Sequence, residues 1–217
     1  DPRNGVESYS QLLYSDDRGI TWHLGAVSQC GGNESTVAET SDGRLLLNMR
    51  HYERADSLRL YAVSADGGET WCDRGECPEL PEPRCQGSML NLTRRGMPTR
   101  TLLFSNPRHP RKRRNLSLSV SRNDGRTWSH YRTICAGPAA YSWCGSTNGT
   151  SAYCMKTATR QIFTAKSRLQ RSISPPCSNK NRLYEISVSS ADLLHSRSSD
   201  GDTGRGTAAE TPIAGVS

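Results

Sequence analysis

An eight-residue pattern occurs three times in this chain and constrains its fold more than any other feature. The copies lie at residues 15–22, 64–71 and 121–128, and all of them fit Ser-x-[Asp/Asn]-x-Gly-x-Thr-Trp. Their starts are 49 and 57 residues apart. That spacing is typical of sheet repeats of blade size and is long for a helical repeat. The pattern therefore indicates a repeated β unit.

Each copy of the pattern follows a short stretch with strand-like alternation, at residues 8–14, 58–63 and 116–120. Within the pattern, Asp or Asn can accept backbone hydrogen bonds, Gly can adopt a positive φ, and Trp can begin the returning strand. We therefore predict three hairpin turns. Their tryptophans, Trp22, Trp71 and Trp128, are expected to be largely buried.

The rest of the chain up to residue 142 also predicts β structure. Residues 44–50 and 99–105 each have three consecutive apolar residues and predict buried strands, whereas the proline-bounded residues 78–83 and 107–110 predict loops. No long window has the 3.6-residue period of a helix. The predicted fold class is all-β.

The repeated pattern resembles the Asp box of sialidases and related β-propellers, where it has a structural role away from the active site, so the three tryptophans are expected to lie far from that site. Three further segments resemble sialidases in that family's chain order: residues 33–50, 104–116 and 137–142. The resemblance implies a six-bladed β-propeller, of which residues 1–142 would supply about three blades. It also implies an exo-α-sialidase that releases terminal sialic acid from glycoproteins, glycolipids or oligosaccharides with retention of configuration.

The resemblance assigns roles to four residues. Tyr141 is expected to be the nucleophile and Glu34 its base, while Arg50 and Arg113 hold the substrate carboxylate. Sialic acid has a carboxylate on its anomeric carbon, so a neutral phenol avoids the repulsion that a carboxylate nucleophile would meet. A phenol with a pKa near ~10 needs a base within hydrogen-bond reach. Guanidinium groups bind a carboxylate by planar, bidentate hydrogen bonds.

For two of these roles the sequence offers an alternative residue. Glu39 is an alternative base to Glu34, and Arg114 is an alternative to Arg113 within the basic run at residues 111–114. The family's first arginine and its acid/base aspartate are not recognisable before the first Asp box. We therefore expect a fragment that begins inside a blade and, expressed alone, is marginally folded and without sialidase turnover.

The net charge restricts the function less than these motifs do. The 28 Lys and Arg against 21 Asp and Glu give a net charge of +7, which alone does not distinguish nucleic acid, a membrane surface or an anionic substrate. The basic run lacks flanking aromatic residues for base stacking, so we predict no nucleic acid partner. No apolar run is long enough for a membrane-spanning helix. The sequence leaves the compartment open.

The eight cysteines form no Cys-x-x-Cys pair and have few histidines near them, which argues against a zinc site. Whether they form disulfides is not decided by the sequence. The resemblance implies neither a metal nor a cofactor.

The composition changes after residue 142. Residues 143–217 are rich in serine, have few large apolar side chains and contain no Asp box. When the codons for residues 153–156 are read from their third base, they must encode Leu, then His or Tyr, then Glu, which resembles the sialidase sequence at that distance from the tyrosine. We therefore interpret residues 143–217 as a divergent tail, frameshifted or disordered. A genuine or alternatively spliced C-terminus is the other interpretation.

A non-catalytic Asp-box propeller that binds glycans or peptides is the alternative function. Asp boxes occur in both classes, so they do not discriminate between them. A base beside a tyrosine does discriminate, because a binding module has no need of one.

Overall fold

The computed structural model describes residues 7–52, 58–147, 151–156 and 183–186. These residues form thirteen β-strands and no helix, so the predicted all-β class is confirmed. The strands are β1 (Gln11–Tyr14), β2 (His23–Val27), β3 (Gly32–Glu39), β4 (Leu45–His51), β5 (Leu58–Ser64), β6 (Asp73–Pro81), β7 (Ser88–Arg94), β8 (Met97–Pro107), β9 (Arg114–Ser121), β10 (Ser129–Pro138), β11 (Ser142–Thr147), β12 (Ser151–Lys156) and β13 (Leu183–Ile186).

The strands form four separate antiparallel sheets in chain order. Two of them are complete four-stranded meanders, β3-β4-β5-β6 and β7-β8-β9-β10. A two-stranded sheet, β1-β2, precedes them, and a three-stranded sheet, β11-β12-β13, follows. The first strands of successive sheets meet, since β3 contacts β7 and β7 contacts β11. Each sheet is therefore one blade, with its first strand on the inside.

Three apolar cores lie between successive blades, because alternate residues of each middle strand face opposite neighbours. Leu47 of β4 belongs to the core beside the β1-β2 sheet, while Leu46 belongs to the core beside the β7–β10 sheet. In β8, Leu102 faces that same core and Leu103 faces the core that includes Cys144 of β11. Burial on both faces explains why β4 and β8 each contain three consecutive apolar residues, at 45–47 and 102–104.

The Asp-box hairpins are confirmed, and their hydrogen bonds explain each fixed position. In the first, the Ser15 hydroxyl accepts the N–H of Gly19 at 2.7 Å, and Asp17 accepts the N–H of Thr21 at 2.8 Å. The same two bonds recur in the other turns at 2.8–3.0 Å. The three glycines have φ values of 83–102°, a region that only glycine adopts without strain.

The prediction for the tryptophans was correct for two and wrong for Trp22. Trp71 and Trp128 are 8% and 6% exposed, whereas Trp22 is 59% exposed. The reason is that each buried indole packs against the preceding blade: Trp71 donates to the carbonyl of Val27 at 2.9 Å. Trp22 donates only to Gly19 of its own turn, and no sheet among the described residues covers it.

This difference predicts unequal effects of truncation. Trp71→Ala should lower the free energy of unfolding by about 3 to 5 kcal/mol, because it removes a large side chain from a packed core. Trp22→Ala, at an exposed position, should change it by only about 0.5 kcal/mol. Urea unfolding followed by circular dichroism measures both, and equal effects would contradict the blade-packing explanation.

The Asp boxes also predict a pH dependence. Hydrogen bonds from Thr21 lower the pKa of Asp17 to about 2. An unfolded Asp titrates near ~3.9, so this carboxylate contributes stability above that pH and loses it as the pH falls toward 2. The third box has Asn123, which does not titrate. Asp17→Asn should therefore reduce the acid dependence of urea unfolding between these pH values, and Asn123→Asp should increase it. Unchanged profiles in both variants would contradict the expectation.

One predicted loop is part of a strand. Residues 78–83 were expected to lie outside the sheet, but β6 continues to Pro81. The prolines are tolerated because β6 is the outer edge strand of its blade, where a missing N–H costs little. Of the loop predicted at residues 107–110, residues 108–110 lie outside the strands, whereas Pro107 is the last residue of β8.

The tail predicted for residues 143–217 lies mostly outside the described residues. The described part forms β11, β12 and β13, which pair antiparallel. The domain boundary at residue 142 and the frameshift therefore stay predictions.

Candidate active site

The four predicted site residues lie at the same end of their blades. Glu34 is near the start of β3, and Arg50 is near the end of the antiparallel strand β4. Arg113 directly precedes β9, and Tyr141 directly precedes β11. The second and third Asp-box turns follow the far ends of β5 and β9. The fold therefore places the candidate site and the Asp boxes at opposite ends, as the sequence predicted.

Glu34 connects Tyr141 and Arg50. The Tyr141 hydroxyl donates to Oε1 of Glu34, and Nη1 of Arg50 lies 2.7 Å from Oε2 of the same carboxylate. Arg50 is 9% exposed, whereas Tyr141 is 38% exposed. The phenol oxygen is thus in contact with a carboxylate that could accept its proton, and its ring is accessible from solvent. The Glu34–Arg50 ion pair was not anticipated from the sequence.

Arg113 lies beside the ring of Tyr141. Its guanidinium carbon lies 5.9 Å from the centroid of the Tyr141 ring, within range of a cation–π interaction. Nη2 of Arg113 donates to the carbonyl of Arg84 at 2.7 Å, which fixes the direction of the exposed guanidinium. The structure therefore brings Arg113, as well as Arg50, close to the Tyr141–Glu34 pair.

The geometry separates the alternatives that the sequence left open. Glu39 is exposed at the far end of β3, about 16 Å along the strand from Glu34. Arg114 points to the carbonyl of Ala136, on β10. Glu34 and Arg113 are consequently the residues beside Tyr141, while their roles stay predictions.

The pKa of Tyr141 is raised above its usual value. Partial burial is the main cause, followed by the hydrogen bond to Glu34 and the negative charge of that carboxylate. Arg50 and Arg113 act in the opposite direction. At neutral pH the phenol therefore keeps its proton, and its use as a nucleophile depends on transfer of that proton to Glu34.

The sequence reasoning missed three residues near this site. Tyr52 lies under Arg50, with the guanidinium carbon 4.8 Å from the ring centroid. Arg59 and Glu82 form a fully buried ion pair at 3.5 Å. A charged residue within the apolar stretch at 58–63 was the available signal for Arg59, since strands seldom bury an arginine without a partner.

No three His, Cys, Asp or Glu side chains among the described residues are grouped so that they could bind a metal ion. No helix in the same part of the chain is long and apolar enough to span a membrane.

Comparison with known proteins identifies the family. The family model described as "BNR repeat-like domain" matches residues 5–154. A sialidase of Micromonospora viridifaciens is 34% identical over 138 residues, which are 60% of this chain and 21% of that protein. Sialidase-3 of Mus musculus is 28% identical over 63% of this chain and 42% of its own length. The chain thus spans less than half of these relatives.

Solved structures agree with this assignment. The Hadza microbial sialidase Hz136 superposes with a TM-score of 0.58 at 28% identity, over 66% of this chain and 28% of that one. A Trypanosoma rangeli sialidase superposes with a TM-score of 0.57 at 25% identity, over 70% of this chain and 25% of that one. The sheets described above are accordingly blades of a sialidase β-propeller, and the chain belongs to the sialidase family with BNR repeats.

Proposed function

We propose that this chain supplies the nucleophile, the base and two carboxylate-binding arginines of an exo-α-sialidase. The contact between Tyr141 and Glu34 is the observation that supports this function most. It joins residues 107 positions apart and gives a phenol of raised pKa a carboxylate partner. A glycan-binding propeller gains nothing from such a pair.

In the proposed first step, the Tyr141 oxygen forms a bond to the anomeric carbon of sialic acid as the bond to the aglycone oxygen breaks. The phenolic proton moves to Glu34, and the aglycone oxygen takes a proton from an acid that we do not assign. Water then attacks the same carbon and gives one proton to the conjugate base of that acid, and the bond to Tyr141 breaks as the phenol oxygen takes its proton back from Glu34. Two displacements at one carbon give overall retention.

Arg50, paired with Glu34, and Arg113, beside the Tyr141 ring, would bind the substrate carboxylate. Their positive charges favour an anionic substrate, and planar guanidinium groups match a carboxylate better than an ammonium group does. The substrates would be sialylated glycans. Hydrolysis also needs the family's first arginine and its acid/base aspartate, to which we assign no residue. We therefore still predict that this chain alone shows no sialidase turnover.

Covalent labelling tests the nucleophile without requiring the acid. The T. rangeli structure holds 2,3-difluorosialic acid as a covalent intermediate. With this reagent the bond to the anomeric carbon forms as the carbon–fluorine bond breaks, and fluoride leaves with the electron pair without needing a proton. We expect mass spectrometry of the purified chain to find one 3-fluorosialyl group on the peptide that contains Tyr141.

Excess N-acetylneuraminic acid should protect the chain from labelling if the reagent enters by the same site. A glycan-binding propeller would bind sialic acid but acquire no covalent group. Absence of labelling, or labelling of another residue, would refute the proposed function.

A further inference from the structure

The loop at residues 82–87 connects β6 to β7 and lies directly beneath the candidate site. Its first residue, Glu82, is fully buried. Oε1 of Glu82 accepts the backbone N–H of His51 at 3.0 Å. Because His51 follows Arg50, this bond fixes the end of β4 from which the Arg50 side chain projects.

The same loop contacts the segments of the other two residues. The carbonyl of Arg84 accepts the guanidinium of Arg113 at 2.7 Å. Oε1 of Gln86 accepts the backbone N–H of Ser142 at 3.1 Å, directly after Tyr141. One short segment therefore holds Arg50, Arg113 and Tyr141, although these residues belong to three different blades.

The shape of the loop depends on Glu82. Its second oxygen, Oε2, accepts the N–H of Cys85 at 2.8 Å, which closes the turn around Arg84. Arg84 has a φ of +50°, an unfavourable conformation for a residue with a side chain. Arg59 lies 3.5 Å from Glu82 and donates to the carbonyl of Cys85 at 2.8 Å. Removing the carboxylate would leave a strained turn without its closing bond.

A carboxylate is the group that this arrangement needs. Its two oxygens accept hydrogen bonds from two backbone segments at once and also neutralise a buried guanidinium. A glutamine of the same shape has one acceptor oxygen, and its NH₂ group would face a second N–H donor. The buried ion pair therefore does more than fill the core.

We propose that Glu82 is a positioning residue that holds Arg50, Arg113 and Tyr141 in register through the loop at residues 82–87. This inference rests on the proposed sialidase function, because it concerns the geometry that this reaction needs. Glu82 itself is buried and does not reach the substrate.

Two variants test it. Glu82→Gln removes the charge and one acceptor. The double variant Arg59→Met/Glu82→Gln also removes the guanidinium, so that no uncompensated charge is buried. If the pair only stabilises the core, the double variant should recover both folding and labelling. If Glu82 positions the site, the double variant should recover folding but not labelling.

A matched control exists at the opposite end of the blades. Asp124 also joins two blades: it accepts the N–H of Ser41 at 2.8 Å and lies 3.3 Å from Nε of Arg100. Asp124→Asn should alter stability without altering the candidate site. Its labelling should therefore match that of the parent chain.

The first readout is the concentration of 2,3-difluorosialic acid that gives half-maximal labelling rate. We expect it to rise about tenfold or more in both Glu82 variants and to stay unchanged in Asp124→Asn. Unchanged values in the Glu82 variants would overturn the inference. Failure of even the double variant to fold would also overturn it, because the pair would then be purely structural.

The second readout needs no ligand. The chain is labelled with ¹³C at tyrosine Cζ, and the Tyr141 resonance is assigned with Tyr141→Phe and followed against pH. Arg50 and Arg113 oppose the effect of Glu34 on the Tyr141 pKa. Displacing the two guanidiniums should move the titration to higher pH. An unchanged midpoint of the Tyr141 titration would overturn the inference. Absence of labelling in the parent chain would instead refute the proposed function, and the titration would still test the role of Glu82.

Discussion

Tyr141→Phe is expected to reduce covalent labelling by 2,3-difluorosialic acid to background, a loss of about 10³-fold or more. Phenylalanine keeps the aromatic ring beside Arg113 but has no oxygen to form the bond to the anomeric carbon. The measurement is the time course of labelling by intact mass spectrometry, with unfolding compared in parallel. The variant should fold like the parent chain, because the ring is partly exposed and only the hydroxyl is lost.

Tyr52→Phe is the matched control for this variant. Tyr52 lies beside the same site, against Arg50, but it does not contact Glu34 and so has no carboxylate to act as its base. Its labelling rate should stay close to that of the parent chain. Comparable losses in both variants would mean that the aromatic residues act by shaping the cleft, and the nucleophile assignment would be wrong.

Glu34→Gln is expected to slow labelling at neutral pH by about 10²- to 10⁴-fold, the range for loss of a general base. The raised pKa of Tyr141 keeps the phenol protonated, and the amide cannot accept its proton. Because a higher pH removes that proton directly, the rate in the variant should rise steeply as the pH increases toward the phenol pKa. Labelling rates measured between about pH 6 and pH 10 test this expectation.

Glu39→Gln provides the comparison for Glu34→Gln. Both residues lie on β3, but Glu39 is exposed at the other end of the strand. Its replacement should leave both the rate and the pH profile unchanged. A Glu34→Gln variant with the parent's rate would show that another group takes the proton.

The sequence was sufficient wherever structure depends on neighbours in the chain. All hydrogen bonds that define an Asp-box turn join residues within eight positions, so the pattern predicts the hairpin without knowledge of the rest. The buried strands β4 and β8 were likewise predicted from short apolar segments of three residues each. The order of the three sialidase-like segments indicated which residue types would meet at the candidate site.

Other properties depend on contacts that the local sequence does not contain. Trp22 and Trp71 occupy the same position in the same motif, yet only Trp71 has a preceding blade among the described residues to cover it. Proline at 78 and 81 predicted a loop, but the edge position of β6 accommodates both in the strand. The same local sequence feature can therefore have different structures, because the sheets that surround it differ.

The sequence by itself determined the turns, the all-β class and the set of residues from which the candidate site is built. Only the tertiary structure decided that Glu34 rather than Glu39 contacts Tyr141, across 107 residues, and that Glu82 and Arg59 lie beneath them. The physical reason is the range of the interactions. Hydrogen bonds within a turn are encoded by adjacent residues, whereas a side chain's partners across a blade interface depend on how whole sheets pack.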